Sequence, residues 1–267
     1  MRPNRNTLFF AWFILTNLTL PLTAQEALNG KVLMAIFAHP DDEMTVAPIL
    51  SKYVDEGVKV YLVVCTDGRL GTNDHSDYEA GDGLVAVRKE EMKCAAEKLG
   101  VELIHLKYHD QLRAAEGYDG HVPHARQLII ELEGIVADKQ PDVLITWGPD
   151  GGSTHMDHRL VGASVTQVFT SKLWEKTKLL FYVGNPTNLI DEPERKILAG
   201  QDPSYLNVQI NYSDADAEKA MASLKCHTSQ ISPDMIQWKE ASREKSNSTI
   251  YFRQFVAPQE KKTSLFE

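Results

Sequence analysis

Apolar positions along this chain change their spacing in a regular alternation. A continuous apolar run spans Val32 to Phe37, and shorter or interrupted apolar runs span Val58 to Val64, Val101 to Leu106, Asp142 to Trp147 and Leu179 to Val183. Runs this short and this apolar read as strands buried on both faces of a sheet. Between them the apolar residues return at helical spacing: Met44, Val46, Ala47, Ile49, Leu50, Tyr53 and Val54. Leu84 to Leu99 follows with Gly100 to stop it, then Ala125 to Lys139 closed by Pro141, then Asp157 to Leu173. The alternation predicts an α/β chain, a three-layer Rossmann-like fold whose mostly parallel sheet has an order near 3-2-1-4-5. Beyond Gly184 the pattern loosens. Asn185 to Pro203 reads as a loop with one short helix; Tyr205 to Tyr212, a helix from Asp214 to Cys226, and Thr249 to Val256 add further C-terminal strands and a helix.

The first residues follow another logic. Arg2 and Arg5 precede an apolar segment, Leu8 to Leu15, and Leu22-Thr23-Ala24 offers a small residue at a cut. That layout predicts a signal peptide over residues 1–24, a secreted or periplasmic destination in a bacterium, and no stable membrane anchor after cleavage. Asn17 and Pro21 interrupt a run already too short to span a bilayer. Residues 25–267 then form one domain, long enough to bury a large core.

Composition changes this picture little. The apolar fraction of 43% and charged fraction of 24% are those of a globular protein. The net charge of −9, or −11 without Arg2 and Arg5, argues against nucleic acid as a partner. Of the three cysteines, Cys65, Cys94 and Cys226, no two have a spacing that demands a bridge, and buried free thiols are the expectation.

Chemistry gathers at two polar knots, each following a strand. The first is Ala38-His39-Pro40-Asp41-Asp42-Glu43; the second runs from Gly148 to His158 and carries Ser153, His155, Asp157 and His158. Three acids crowded beside one histidine repel each other unless a positive charge sits among them, and a divalent metal is the simplest supplier. In a 3-2-1-4-5 sheet the first and fourth strands are neighbours that flank the ligand-binding switch point, so the two knots meet in one crevice. Two histidines and a carboxylate around an ion with one open position make a hydrolytic zinc site.

These residues resemble the zinc-dependent PIG-L/LmbE-like N-deacetylases, which include the GlcNAc-phosphatidylinositol and mycothiol-pathway deacetylases. The likeness extends to Thr66-x-Gly68-x-x-Gly71, to Arg88-x-x-Glu91, and to Lys219 to Gln230 with its Cys226-His227-Thr228-Ser229-Gln230 turn. It implies zinc held by His39, Asp42 and His158, with Asp41 as general base. It further implies His155 as oxyanion donor or acid, oriented by Asp157, and Arg88, Ser153 and His227 on the substrate side. Ser153 stands where some relatives place a tyrosine, and Met156 where proline is common. Without the resemblance, Arg88 reads as a surface residue paired with Glu91, and His227 as a packed helix-end residue.

The expected reaction is removal of an N-acyl group, foremost N-acetyl, from an amino sugar or glycoconjugate. Two other readings stay open: hydrolysis of another small amide or ester, and a noncatalytic metal- or carbohydrate-binding protein on the same scaffold. Asp41 weighs against the last, since a pure binder needs no base beside its ligands.

Overall fold

The computed structural model describes residues 28–112, 123–192 and 194–255. The expected signal peptide, and Val256 at the end of the last expected strand, lie outside them. Strand β1 (Val32–Phe37) is the centre of the molecule. Its side chains divide by period two, with Leu33, Ala35 and Phe37 packing into one core and Met34 and Ile36 into the other. A strand apolar at every position therefore feeds both faces of the sheet, which is why the run shows no alternation.

β1 pairs in parallel with β2 (Lys59–Thr66) and β4 (Val143–Trp147); β2 pairs with β3 (Glu102–Tyr108), and β4 with β5 (Leu179–Pro186). Two antiparallel strands, β8 (Thr249–Gln254) and β7 (Val208–Asn211), continue the sheet, and the two-residue β6 (Gly200–Gln201) pairs with β5. The order is β3-β2-β1-β4-β5-β8-β7, so the expected 3-2-1-4-5 core and its additional strands are both present.

Helices α1 (Ala47–Asp55) and α2 (Asp82–Leu99) bury Ile49, Leu50, Met92 and Leu99 against one face. Helices α3 (Pro123–Lys139) and α4 (Met156–Thr170) bury Leu128, Leu132, Val161 and Val165 against the other. Each helix lies close to the span its apolar spacing predicts. A 3₁₀ turn over Asp42–Thr45 separates the first knot from α1. Among the described residues no helix is long and apolar enough to cross a membrane.

After β7 come α5 (Asp214–Leu224) and α6 (Pro233–Lys245). The apolar pattern does not announce α6, and the reason is physical: none of its residues is buried, so it needs no apolar stripe. It is capped instead, with the Ser232 hydroxyl accepting from the Met235 amide and Pro233 in the first turn. The cysteines depart from expectation. Cys94 on α2 and Cys226 after α5 form a disulfide, 132 residues apart in the chain, and only Cys65 is a buried free thiol.

Candidate metal centre

The two knots meet where β1 and β4 end side by side. His39 Nδ1 lies 3.2 Å from His158 Nε2, and His158 Nε2 lies 3.1 Å from Asp42 Oδ1. The second Asp42 oxygen is already engaged by the amides of Ala38 (3.0 Å) and His39 (2.9 Å) and by the Trp147 indole N–H (3.3 Å). Oδ1 is the oxygen left free to face His158, while Oδ2 also lies 3.6 Å from His39 Nδ1. Burial works against the Asp42 charge, yet His158 and His39 hold its carboxyl well below the usual range.

Both rings have their outer nitrogen fixed. His158 Nδ1 donates to the Gly151 carbonyl at 2.9 Å, which leaves the Nε2 lone pair pointing inward. His39 Nε2 faces Asp110 Oδ1 at 3.2 Å and Asp157 Oδ2 at 3.3 Å, which leaves its Nδ1 lone pair inward. Two ring nitrogens and a carboxylate oxygen thus converge; against the effect of burial, the neighbouring carboxylates raise the pKa of both rings, so positive charge, from protons or from a metal ion, is favoured among them. The separations of 3.2 and 3.1 Å are close to the edge of a tetrahedron with bonds of about 2.0–2.1 Å, roughly 3.3 Å, and His39 Nδ1 lies 3.6 Å from the Asp42 carboxylate at Oδ2. The donor set fits a divalent ion of the zinc kind.

His39 also belongs to two other groups that could hold an ion, one with His155 and His158 and a second with Asp110 and Asp157. The carboxylates of the second, however, are already used: Asp157 Oδ1 accepts from the Leu112 amide (3.0 Å), and Asp110 from the amides of Leu70 (3.0 Å) and Gln111 (2.7 Å). These acids act as outer partners that orient His39. The sequence reading missed Asp110, although His109-Asp110-Gln111 follows β3 at the same sheet edge as both knots. It also missed Trp147, whose indole stacks on the His158 ring at 4.5 Å with planes 3° apart.

Asp41 stands beside this trio with φ at 110°, a backbone conformation that favours glycine. Its amide donates to Glu43 Oε2 at 3.1 Å, and Arg88 holds both the Pro40 carbonyl and Asp41 Oδ2, the latter at 2.9 Å. Burial pushes the Asp41 carboxyl up to about 6 against the pull of Arg88. His155 is exposed, and its Nδ1 accepts from the Asp157 amide at 3.2 Å. Burial on its inner side and the neighbouring His39 and His158 depress its pKa, so the neutral ring keeps its proton on Nε2. Ser153 accepts from the His155 amide at 3.1 Å and lines the adjoining cleft.

Three expectations need correction. Arg88 is not on the surface and does not reach for substrate: it is 2% exposed, and its guanidinium is bound to Asp41, Pro40 and Gly68 rather than to Glu91. A Cβ at Gly68 or Gly71 would stand 2.6 Å or 2.2 Å from that guanidinium, so the glycine turn exists to admit it. His227 is fully buried, with Nε2 2.7 Å from Glu43 Oε1, and it supports the Asp41 turn from below. Glu91 holds the His227 turn in turn, accepting from Thr228 and Ser229. Asp157 turns its carboxylate to His39, so its side chain orients that ring, and it holds the ring of His155 only through its backbone amide.

Convergence of histidines and carboxylates at the switch point of a Rossmann-like sheet defines the class: an α/β protein with a side-chain cluster able to hold a metal ion. The family model for PIG-L, GlcNAc-PI de-N-acetylase, matches residues 34–169, and the chain belongs to that family. A 1D-myo-inositol 2-acetamido-2-deoxy-alpha-D-glucopyranoside deacetylase of Corynebacterium glutamicum is 27% identical over 224 residues, 76% of each chain. A diacetylchitobiose deacetylase of Thermococcus kodakarensis is 32% identical over 136 residues, 49% of this chain and 46% of its own. The structure of N,N'-diacetylchitobiose deacetylase from Pyrococcus horikoshii superposes with a TM-score of 0.64 at 23% identity, covering 84% of both chains. A 4-carboxy-2-hydroxymuconate hydratase superposes almost as well, with a TM-score of 0.62 at 12% identity, so the fold alone does not choose the reaction.

Proposed function

We propose that this protein is a metal-dependent N-deacetylase that hydrolyses the acetamide of an amino sugar or glycoconjugate. The observation that carries the reading is the convergence of His39 Nδ1, Asp42 Oδ1 and His158 Nε2, with Asp41 held beside them but outside the set. Those three atoms would hold the ion, zinc by the chemistry of the donors. The metal supplies acidity to a water and polarisation to the amide carbonyl. Asp41 takes the proton of the attacking water and later delivers it to the departing amine, since an amine leaves poorly as an anion. Arg88 keeps one Asp41 oxygen occupied, and the side chain is 19% exposed, so the other can meet a water. His155 donates its Nε2–H to the oxygen that becomes negative as the carbonyl carbon turns tetrahedral. Deacetylase relatives that act on N-acetylated sugars support this choice of bond.

Export is part of the same proposal. The apolar segment after Arg2 and Arg5 supports a cleaved leader, and the Cys94–Cys226 disulfide suits an oxidising compartment such as a periplasm.

The test is amine release from a panel of N-acetylated mono- and disaccharides, with zinc and after chelation. Release that stops on chelation and returns with metal is the expected result. Chelator-insensitive release, or none from any sugar while simple esters are cleaved, would replace the reading with a general hydrolase.

A further inference from the structure

A cleft of about 510 Å³ adjoins the metal centre and is lined there by Asp42, Trp147, Ser153 and His158. Its walls are largely apolar and include Met44, Pro48, Leu189, Ile190, Leu198 and Leu224. Three basic side chains of α6, Lys239, Arg243 and Lys245, also line it, together with the carboxylates of Glu194, Glu218 and Glu240. Arg243 is bound to Asp214 and to the Ser248 hydroxyl, and Lys245 to Asp191 at 2.6 Å. Lys239 alone among the three basic side chains has no carboxylate within ion-pair distance among the described residues; it is partly exposed, and its ammonium lies over the Trp238 ring, 5.8 Å from the centroid.

An ammonium set in a largely apolar cleft with no carboxylate beside it is a site where an anion gains more than it would in open water. Burial pushes the Lys239 pKa down to about 8, with the Glu43 carboxylate beyond the wall pulling the other way. Glu43 cannot serve as that partner, because it is fully buried and engaged by His227 and the Asp41 amide. The chain as a whole carries a net charge of −9, so an anionic molecule is repelled at long range and needs a local cation to be held.

From this geometry we infer that Lys239 is a specificity-determining residue, receiving a carboxylate or phosphate that the substrate carries away from its acetamide. The inference rests on the deacetylase reading for the other end of the substrate. A compact ammonium with three donors suits either anion, and the apolar walls between it and the metal centre suit an uncharged spacer such as a sugar face or short alkyl arm. Trp238, next to Lys239 and also on the cleft, has its indole N–H fixed on Glu194 and presents a partly exposed ring.

The test compares kcat/KM on N-acetylglucosamine, N-acetylmuramic acid and N-acetylglucosamine 6-phosphate for the zinc-loaded wild type, Lys239→Gln and Lys239→Arg. The expected wild-type ratio of anionic to neutral substrate exceeds that of Lys239→Gln by about tenfold or more, and Lys239→Arg recovers part of it. Which acid gains distinguishes a carboxylate from a phosphate. Equal ratios in wild type and Lys239→Gln overturn the inference. Calorimetric titration of chelator-treated protein with the same acids separates this result from the deacetylase reading. Binding that weakens about tenfold in Lys239→Gln supports the subsite even if no sugar is deacetylated, and identical binding by the two proteins refutes it.

Discussion

Asp41 is the residue whose position costs the most to hold. A non-glycine side chain at φ 110° is strained, and the turn keeps it through Glu43 on its amide and Arg88 on its carboxylate. That investment in one acid, next to Asp42 but turned away from its histidine partners, is what a base needs. Asp41→Asn should keep the metal and lose about 10²–10⁴-fold in turnover, read as metal content against amine release. Turnover near wild type would remove Asp41 from the mechanism. Asp157 and Asp110 belong to the same scale, because they fix the proton on His39 Nε2 and so free Nδ1. Asp157→Asn should weaken metal affinity by about 10–100-fold, measured by competition with a chromogenic chelator. Unchanged affinity would make Asp157 a structural residue only.

At the scale of elements, the first turn is braced from two sides. The β2–α2 glycine turn admits Arg88, and the Cys226–Gln230 turn sets His227 under Glu43 while Glu91 of α2 holds that turn. Gly71→Ala brings a Cβ to 2.2 Å from Arg88 Nη1, and the guanidinium has three oxygens fixing it in place. The variant should lose about 1–3 kcal/mol of stability and much of its activity while still binding metal. Full activity would show that Arg88 has room to move. The disulfide ties α2 to the His227 turn, closing a loop of 132 residues. Reduction should lower stability by about 2–4 kcal/mol, seen as a drop in melting temperature. No drop, together with three thiols that titrate in native protein, would contradict the pairing. These braces were only partly legible. The glycine turn and Arg88-x-x-Glu91 stood out as patterns, but spacing tells that a residue sits on a helix, not whether it points inward. Arg88 is an inward arginine, and the arginine-sized gap left by Gly68 and Gly71 is the signal that reveals it.

At the scale of the molecule, five short, mainly apolar runs order the sheet, because central strands buried on both faces, β1 above all, leave near-continuous runs, the edge strand β3 an interrupted one, and the crossovers helical spacing. Once β1 and β4 are neighbours, the two knots must share a crevice, and the convergence of His39, Asp42 and His158 follows from topology. What the pattern does not carry is the direction of a buried carboxylate: Asp157 faces His39, and Asp110 arrives from a third strand end. Nor does it carry α6, a helix without an apolar stripe that brings Lys239 to the cleft. The central claim is that one ion sits among His39 Nδ1, Asp42 Oδ1 and His158 Nε2. Anomalous diffraction at the zinc edge from metal-loaded crystals tests it directly. The account predicts one peak about 2.0–2.2 Å from each of those atoms. A peak on the Nε2 side of His39, between Asp110 and Asp157, or no peak at either place, would contradict it.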